Sequence, residues 1–278
     1  MKGYKGFNPG LICKGKQYQE NTVFEEPKAI ICEKGMHFCE NPFDVLDYYD
    51  LIRSDGTPNE FTEVEAMDEP KTDDKKKFCS RKLKIGVKLG LSGFIKACVD
   101  FVLEKTINEM PSANVDSGNS AQIGSSGYSA QIGSSGDSAQ IGSSGYSAKI
   151  GSSGYFAQIG SSGYFAKIGS SGDFAKIGSS GYSAQIGSSG DFAQIGSSGD
   201  FARIDCTGED SVVCCAGHGS VVKAPVGCWI TLSEWRYDGQ KDRAVPVRVK
   251  TEYVDGEKIK ADTPYTLKNG EFVEVVGG

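Results

Sequence analysis

The stretch Gly127–Ser135 reads GYSAQIGSS, and the same nine-residue phrase returns as GYFAKIGSS in Gly163–Ser171. Its large aliphatic residue recurs at every ninth position from Ile123 to Ile204, and valine continues the period as far as Val222. A fixed short period is typical of a solenoid, in which each unit buries its apolar side only against its neighbours. The repeat therefore predicts a solenoid over residues 118–225, and it does not indicate what the solenoid binds.

The repeat favours strands over helices, because three glycines in nine positions would strongly destabilise a helix. In a strand over Phe165–Ile168, alternate side chains would point to opposite sides. Lys167 would then face water together with Phe165, while Ala166 and Ile168 would face the core. The Gly-Ser-Ser-Gly that follows is typical of a turn. We therefore predict a narrow β-roll or β-helix with a thin core of stacked isoleucine and alanine.

Coils of 18 residues with two faces and coils of 27 residues with three faces both fit the period. At a spacing of 18, one column contains only tyrosine: Tyr128, Tyr146, Tyr164 and Tyr182. A spacing of 27 would mix tyrosine and aspartate in every column. We therefore prefer the two-faced coil, and we expect about six coils with a length of roughly 29 Å at about 4.8 Å per layer.

Five phenylalanines share one outward position in this scheme, near Lys149, Lys176 and Arg203: they are Phe156, Phe165, Phe174, Phe192 and Phe201. Exposed aromatic rows are unusual on a monomer and mark contact surfaces. We therefore predict a binding surface made of these phenylalanines and the four tyrosines of the tyrosine column. The alternative is that the phenylalanines fill a wider interior or lie beneath a terminal domain.

Composition limits the classes of function. The chain has 278 residues and a net charge of −6, whereas a protein that binds nucleic acid directly presents a basic face. No run of about 20 apolar residues is present, so we expect no membrane span. The start, MKGYKGFNPG, lacks the apolar segment of a signal peptide. Nine cysteines without such a signal indicate reduced thiols and a cytoplasmic protein.

Composition also divides the chain. We predict an α+β head domain over residues 1–108, a linker over 109–117 and the nonapeptide β-solenoid over 118–225. A small antiparallel β cap follows over 226–278, with hairpin turns at Asp255-Gly256 and Asn269-Gly270. The predicted fold class is thus mainly β. In the head, Asn41 is well placed to cap a helix that begins at Pro42. Leu91 starts the apolar pattern of a second helix that ends near Asn108.

The motif GMHFCENPFDVLDYY in 35–49 resembles the hallmark of an uncharacterised domain family found in phage and prophage proteins. The tail, GCWITLSEW in 227–235 with LKNGEFVEV in 267–275, resembles the C-terminal module that often accompanies this domain. Proteins of this kind often carry Ala/Ser/Gly-rich nonapeptides between the two. The resemblance implies a phage or mobile-element origin, and it supplies no catalytic residues.

Three groups of residues are candidates for sites of chemistry. Tyr4-Lys5-Gly6, His37-Phe38 and Glu63-Val64-Glu65 are loosely similar to the order of motifs in ADP-ribosyltransferases, although the spacing to the glutamates is short. Thiolate and imidazole ligands suit zinc, but the spacing of the next group matches no zinc module: Cys206, Cys214, Cys215 and His218. Stacked carboxylates could imitate a nucleic-acid phosphate path, although such mimicry calls for more acidic residues than the six in this region: Asp137, Asp173, Asp191, Asp200, Glu209 and Asp210.

These patterns favour a non-enzymatic, phage-encoded interaction protein without metal or cofactor. We expect it to bind a protein partner, and to block a host factor such as a defence protein, in some cases by nucleic-acid mimicry. Self-association as a dimer is a further expectation. A virion fibre or spacer is the first alternative function, and an ADP-ribosyltransferase-like head is the second.

Overall fold

The computed structural model describes residues 1–106, 113–116 and 118–275. In the head the elements are β1 (Lys2–Phe7), β2 (Ile12–Cys13), β3 (Lys16–Gln17), β4 (Val23–Glu25), β5 (Met36–Cys39), α1 (Pro42–Val45), β6 (Glu60–Ala66), β7 (Lys71–Thr72), β8 (Lys77–Ser80), β9 (Lys82–Leu89) and α2 (Leu91–Thr106). Seven of these strands form one antiparallel sheet in the order β4-β9-β6-β1-β5-β8-β7. As predicted, the side chain of Asn41 caps α1 by accepting the Phe43 N–H at 3.0 Å.

Short strands follow at nine-residue intervals, each of four residues except the three-residue β22. They are β10 (Ala113–Asp116), β11 (Gln122–Ser125), β12 (Gln131–Ser134), β13 (Gln140–Ser143), β14 (Lys149–Ser152), β15 (Gln158–Ser161), β16 (Lys167–Ser170), β17 (Lys176–Ser179), β18 (Gln185–Ser188), β19 (Gln194–Ser197), β20 (Arg203–Cys206), β21 (Val212–Cys215) and β22 (Val221–Lys223). The first of them, β10, lies inside the segment predicted as a linker. The predicted end of α2 at Asn108 lies outside the described residues.

From β10 to β20, each strand pairs in parallel with the strand 18 residues later, so that Ile150 lies opposite Ile168 and Ile159 opposite Ile177. Odd and even strands therefore form two separate sheets, with about six coils between residues 122 and 232. The mainly β solenoid and its two-faced, 18-residue coil are thus confirmed. With two strands and two turns per coil, the backbone N–H and C=O groups form hydrogen bonds with the neighbouring coils, as a solenoid requires.

The core of the solenoid consists of the predicted alanines and isoleucines. Ala166, Ile168 and Ile186 are fully buried, and their counterparts along both sheets are buried as well. The predicted strand bounds were wrong, however: the strand is Lys167–Ser170 rather than Phe165–Ile168. Phe165 instead adopts φ +54° in the turn before the strand, which ends the side-chain alternation there.

Two long strands and two short ones close the C-terminal end: β23 (Trp229–Asp238), β24 (Arg243–Tyr253), β25 (Tyr265–Lys268) and β26 (Glu271–Glu274). The first continues one solenoid sheet and pairs antiparallel with β24, and β25 pairs antiparallel with β22. The predicted antiparallel cap is confirmed. It provides antiparallel partners for the last strands of both solenoid sheets, which lowers the tendency of an exposed edge to pair with another chain.

Candidate interaction surface

The head covers one of the two broad faces of the solenoid, which we call the covered face. Its outward side chains come from β12, β14, β16 and β18. At one end Asn41 donates to the side-chain oxygen of Gln131 at 3.1 Å, and further along the Ile52 N–H donates to Gln185 at 3.2 Å. Gly56, in the loop after α1, lies against Pro264 of the cap. The head, the coils and the cap therefore pack along the whole length of this face.

Two lysines anchor the head to this face. Lys149 donates to the Phe43 carbonyl at 2.9 Å and forms an ion pair with Asp47 at 2.7 Å. Lys167 donates to the carbonyl of Leu46 and pairs with Asp50 at 3.0 Å. One carbonyl belongs to α1 and the other to Leu46, the residue that caps its C-terminal end, so both lysines bind the same helical turn.

The lysines are buried although they point away from the coil. The side chain of Lys149 is only 5% exposed and that of Lys167 only 12%. Burial lowers the pKa of Lys167, although Asp50 opposes the shift. Burial would raise the pKa of Asp50, but the Lys167 ammonium, together with Gln185 and Arg203, lowers that pKa. The prediction that Lys167 faces water was therefore wrong, because the covering domain supplies carbonyls and carboxylates.

A row of glycines on the covered face receives α2. A Cβ built on Gly169 would lie 2.7 Å from Ile95 Cγ1, and one on Gly187 would lie 2.9 Å from Leu91 Cδ1. Real Cβ contacts are longer than this, so the glycines allow the helix to approach the sheet closely. Sequence reasoning missed this role and assigned the Gly-Ser pairs to turns. The 18-residue columns of glycine within the repeat were the available signal.

The opposite face, which we call the open face, carries the same residue types without a cover. Its outward side chains and glycines come from β11, β13, β15, β17 and β19, and they line a shallow groove of about 1000 Å³. Gln158 and Lys176 are exposed here, whereas Lys149 at the same repeat position is buried. A Cβ on Gly142 or Gly178 would meet no atom within 4 Å. The open face is therefore a glycine-floored groove.

Both edges of the coil carry exposed aromatic side chains, which divides the predicted binding residues into two sets. The tyrosine rim consists of Tyr128, Tyr146, Tyr164, Tyr182, Phe165 and Phe201. The phenylalanine rim consists of Phe156, Phe174 and Phe192. Ring centroids in the phenylalanine rim lie 5.0 and 4.9 Å apart with nearly parallel planes, and Tyr128 stacks on Tyr146 at 5.0 Å. The exposed positions of all nine are as expected, while a binding role remains a prediction.

The rims border the open face directly. Along one coil, Phe156 is followed by the outward positions Gln158, Gly160 and Ser162, and then by Tyr164. The predicted arrangement of phenylalanine and lysine on one flat strand face was wrong, because the phenylalanines lie in turns at the edge. The groove therefore has a glycine floor, polar walls and two aromatic rims.

The phenylalanines are not required by the coil. Phe156, Phe174 and Phe192 adopt φ of 57°, 56° and 56°, in a left-handed region that bulky residues rarely adopt. Ser138 and Ser183 occupy the same turn position with φ of 59° and 53°. Each donates its backbone N–H to a carbonyl of the next coil, as the phenylalanines do. The turn therefore forms equally well with a small residue.

The acidic columns hold the coils together. Asp137 accepts the Tyr155 N–H at 3.0 Å, and Asp173 accepts the Asp191 N–H at 3.0 Å. Asp191 and Asp200 make the same bond to the following coil at 2.8 Å. Carboxylates that accept backbone N–H groups are charge-assisted hydrogen-bond partners. These four aspartates thus have a role in the stacking of the coils.

The residues considered for zinc lie in different places. Cys206 and Cys215 are buried inside the coil, Cys214 is exposed on the open face, and His218 packs edge-on against Phe201 at 5.3 Å. Across residues 1–106, 113–116 and 118–275, no group of three or more His, Cys, Asp or Glu side chains is arranged to hold a metal ion. Over the same residues, no helix is both long and apolar enough to cross a membrane.

The head has a cavity of about 700 Å³ between β1, β5 and the segment after α1. Lys5, buried at its floor, donates to the His37 carbonyl at 2.9 Å and contacts Cys13 Sγ at 3.5 Å. The Tyr49 hydroxyl donates to the same sulfur at 3.0 Å. Tyr4-Lys5-Gly6 and His37-Phe38 thus come together, but Glu63 and Glu65 are exposed on β6, outside this cavity.

His37 gives the head a testable pH dependence. Burial, with the nearby Lys5, Lys14 and Lys77, lowers the pKa of His37 from 6.5 to about 4. The unfolded chain therefore takes up this proton at a higher pH than the folded chain, and stability falls as pH drops from 6.5 towards 4. A His37→Gln variant, which keeps an acceptor for the Cys32 N–H, is expected to lose about 1 kcal/mol less over this window, allowing for the half-exposed ring.

Urea unfolding of both proteins at about pH 7 and about pH 5 measures this difference. The wild type should lose more stability between the two values than the variant, whatever the other acidic groups contribute. An equal loss in both proteins would contradict the assignment to His37.

Comparison with known proteins informs only the head. Neither the curated proteins nor the solved structures contain a match to this chain. A family model matches the segment that carries the GMHFCENPFDVLDYY motif, and it has no assigned function, as the sequence led us to expect. The phage origin and the link to the repeats stay predictions. The head, over residues 1–97, matches the family described as Domain of unknown function (DUF7666).

Proposed function

We propose that the chain is a non-enzymatic, phage-encoded interaction protein that binds a protein partner across the open face of its solenoid and its two rims. Binding to a host factor in the cytoplasm would block that factor. The observation that carries the proposal is the contrast between the faces: one is buried under the head along its length, while the other presents the same groove uncovered between stacked aromatic rows.

The aromatic rims support a binding role on energetic grounds. Phe156 and Phe192 are 53% and 46% exposed, in a turn that serine also forms. Each phenylalanine therefore exposes apolar area and adopts a strained backbone, and its gain within the coil is limited to ring stacking. Stacking between neighbouring rings stabilises the coil by about 1 kcal/mol per pair. Contiguous exposed aromatic area on a rigid support is typical of a protein contact surface.

The other candidate regions are less suitable. The aspartate columns already serve the stacking of the coils, so nucleic-acid mimicry is not the form of binding that we propose. The cavity of the head lacks the two glutamates that a transferase interpretation needs. Hydrogen bonds and ion pairs between the head and the covered face hold the open face in a fixed shape, and a preorganised surface binds with a smaller loss of entropy.

A triple variant, Phe156→Ser, Phe174→Ser and Phe192→Ser, tests the proposal. Serine suits this turn, so the thermal midpoint should stay within a few degrees, while capture of the partner from host lysate should fall at least about tenfold. Quantitative mass spectrometry of the captured proteins measures the effect. Tyr237→Ser is the matched control, since this tyrosine is 64% exposed in the cap, away from the rims. Unchanged capture and unchanged mass in solution would remove the rims from the proposal.

A further inference from the structure

The covered face shows what kind of ligand fits the open face. Both faces are built from the same repeat, and each has a row of glycines beside a row of glutamine or lysine. On the covered face the glycine row is filled by one side of α2, with Leu91, Ile95 and Val99 over successive coils. The corresponding row on the open face lines the groove: Gly124, Gly142, Gly160, Gly178 and Gly196.

The fit on the covered face is that of an aliphatic ridge in a groove. The three ridge residues are four apart, so they share one side of the helix. Val99 Cγ2 would lie 3.2 Å from a Cβ on Gly151, and the contacts at Gly169 and Gly187 are closer. The helix rises about 12 Å over this stretch, whereas the two coils beneath it rise about 10 Å. The helix therefore crosses the coils obliquely.

The polar row beside the glycines makes a second type of contact. On the covered face Lys149 and Lys167 bind carbonyls at the end of α1 and the carboxylates of Asp47 and Asp50. On the open face Lys176 occupies the same repeat position and is exposed between neighbouring glutamines. A ligand that reproduces the covered face therefore brings a carboxylate to Lys176 and acceptors to the glutamines.

Within the coil, Gly160 and Gly178 pair in the parallel sheet, but close packing does not require that they lack a side chain. A Cβ on Gly178 would meet nothing within 4 Å, and one on Gly160 would meet only the Ile141 carbonyl at 4.0 Å. Glycine inside a strand weakens the strand and marks sites where another molecule approaches the backbone closely. The open glycine row is thus suited to a close contact that the described chain does not itself make.

We propose that the open face is a docking groove for an amphipathic helix of a partner protein, with aliphatic residues at i, i+4 and i+8 over the glycine row and a carboxylate opposite Lys176. This inference rests on the proposed function insofar as the ligand is a protein. In a symmetric dimer of this chain, the two open faces would lie against each other, and neither would supply a helical ridge to fill the groove of the other.

A helix-stabilised, fluorescent peptide with the sequence of Leu91–Thr106 is the probe, because it carries the ridge that fits the covered face. Fluorescence anisotropy should show saturable binding to the full-length protein at micromolar concentrations. A Gly160→Leu, Gly178→Leu double variant fills the groove and should weaken binding at least tenfold. These positions have room for a side chain, so its thermal midpoint should not fall. A peptide with serine in place of the three ridge residues should not bind.

The outcomes separate this inference from the proposed function. Peptide binding that is lost in the double leucine variant and kept in the triple serine variant of the phenylalanine rim supports the groove, whatever the lysate experiment shows. Binding that is absent, or equal in wild type and leucine variant, overturns it, even if the rim captures a partner. A doubled mass of the wild type that the leucine variant abolishes also overturns it, because the occupant is then a second copy.

Discussion

A Gly163→Ala variant is expected to lose its folded solenoid. A Cβ on Gly163 would overlap the backbone carbonyl oxygen of Gly145 in the preceding coil, far inside the 3.0 Å below which real Cβ contacts are essentially not seen. The backbone on both sides is fixed by parallel pairing, so the clash cannot be relieved by a side-chain rotation. We expect a loss of more than about 4 kcal/mol in the free energy of unfolding.

Gly160→Ala is the matched control, because this glycine lies in the same coil but its added Cβ would meet only a carbonyl 4.0 Å away. Alanine there should be neutral or stabilise the protein by up to about 1 kcal/mol. Circular dichroism and urea unfolding of the two variants measure the difference. If both alanines change stability by the same amount, the close contact between corner glycines is not the constraint that we describe.

Loss of Lys149 is expected to have the second-largest effect. Lys149→Ala would remove a side chain that is 5% exposed, leave the Phe43 carbonyl without this donor, and delete packed methylene groups. Asp47 is 46% exposed and can be rehydrated, which limits the loss. We expect the free energy of unfolding to fall by about 3 kcal/mol. Lys149→Met, which retains the apolar stem, should lose about 2 kcal/mol.

Lys176→Ala is the control for this pair. Lys176 lies in the same Ala-Lys-Ile-Gly phrase but is exposed on the open face, so its loss should change stability by less than about 0.5 kcal/mol. Differential scanning calorimetry of the three variants gives the comparison. A similar loss for Lys149 and Lys176 would contradict the role of the covering head.

Much of the solenoid could be predicted from the repeat. The invariant spacing of isoleucine specifies the core, and the 18-residue tyrosine column specifies two strands per coil. Both are local properties of a nine-residue phrase, so they need no knowledge of the rest of the chain. The position of the strand within the phrase was less predictable. Phe165 has high strand propensity, but the turn places it in a left-handed conformation outside the strand.

The candidate site could be predicted only in part. The exposure of the aromatic residues follows from the burial of alanine and isoleucine on the other side of the backbone. Their division into two rims follows from the positions of the turns. From the sequence, we placed each turn at Gly-Ser-Ser-Gly, whereas the structure has the first Gly-Ser of this motif in the strand. The groove itself was missed, because a glycine beside a serine has the composition of a turn and the sequence does not show that it lies in a strand.

The sequence by itself determined the coil, its period and its core, because each nonapeptide folds by the same local rules wherever it occurs. Only the tertiary structure decided which face is covered. Lys149 and Lys176 have the same neighbours in sequence, yet one is buried against α1 and the other faces solvent. The difference arises because each coil has two strands, so that alternate repeats lie in opposite sheets. The head packs against only one of these sheets.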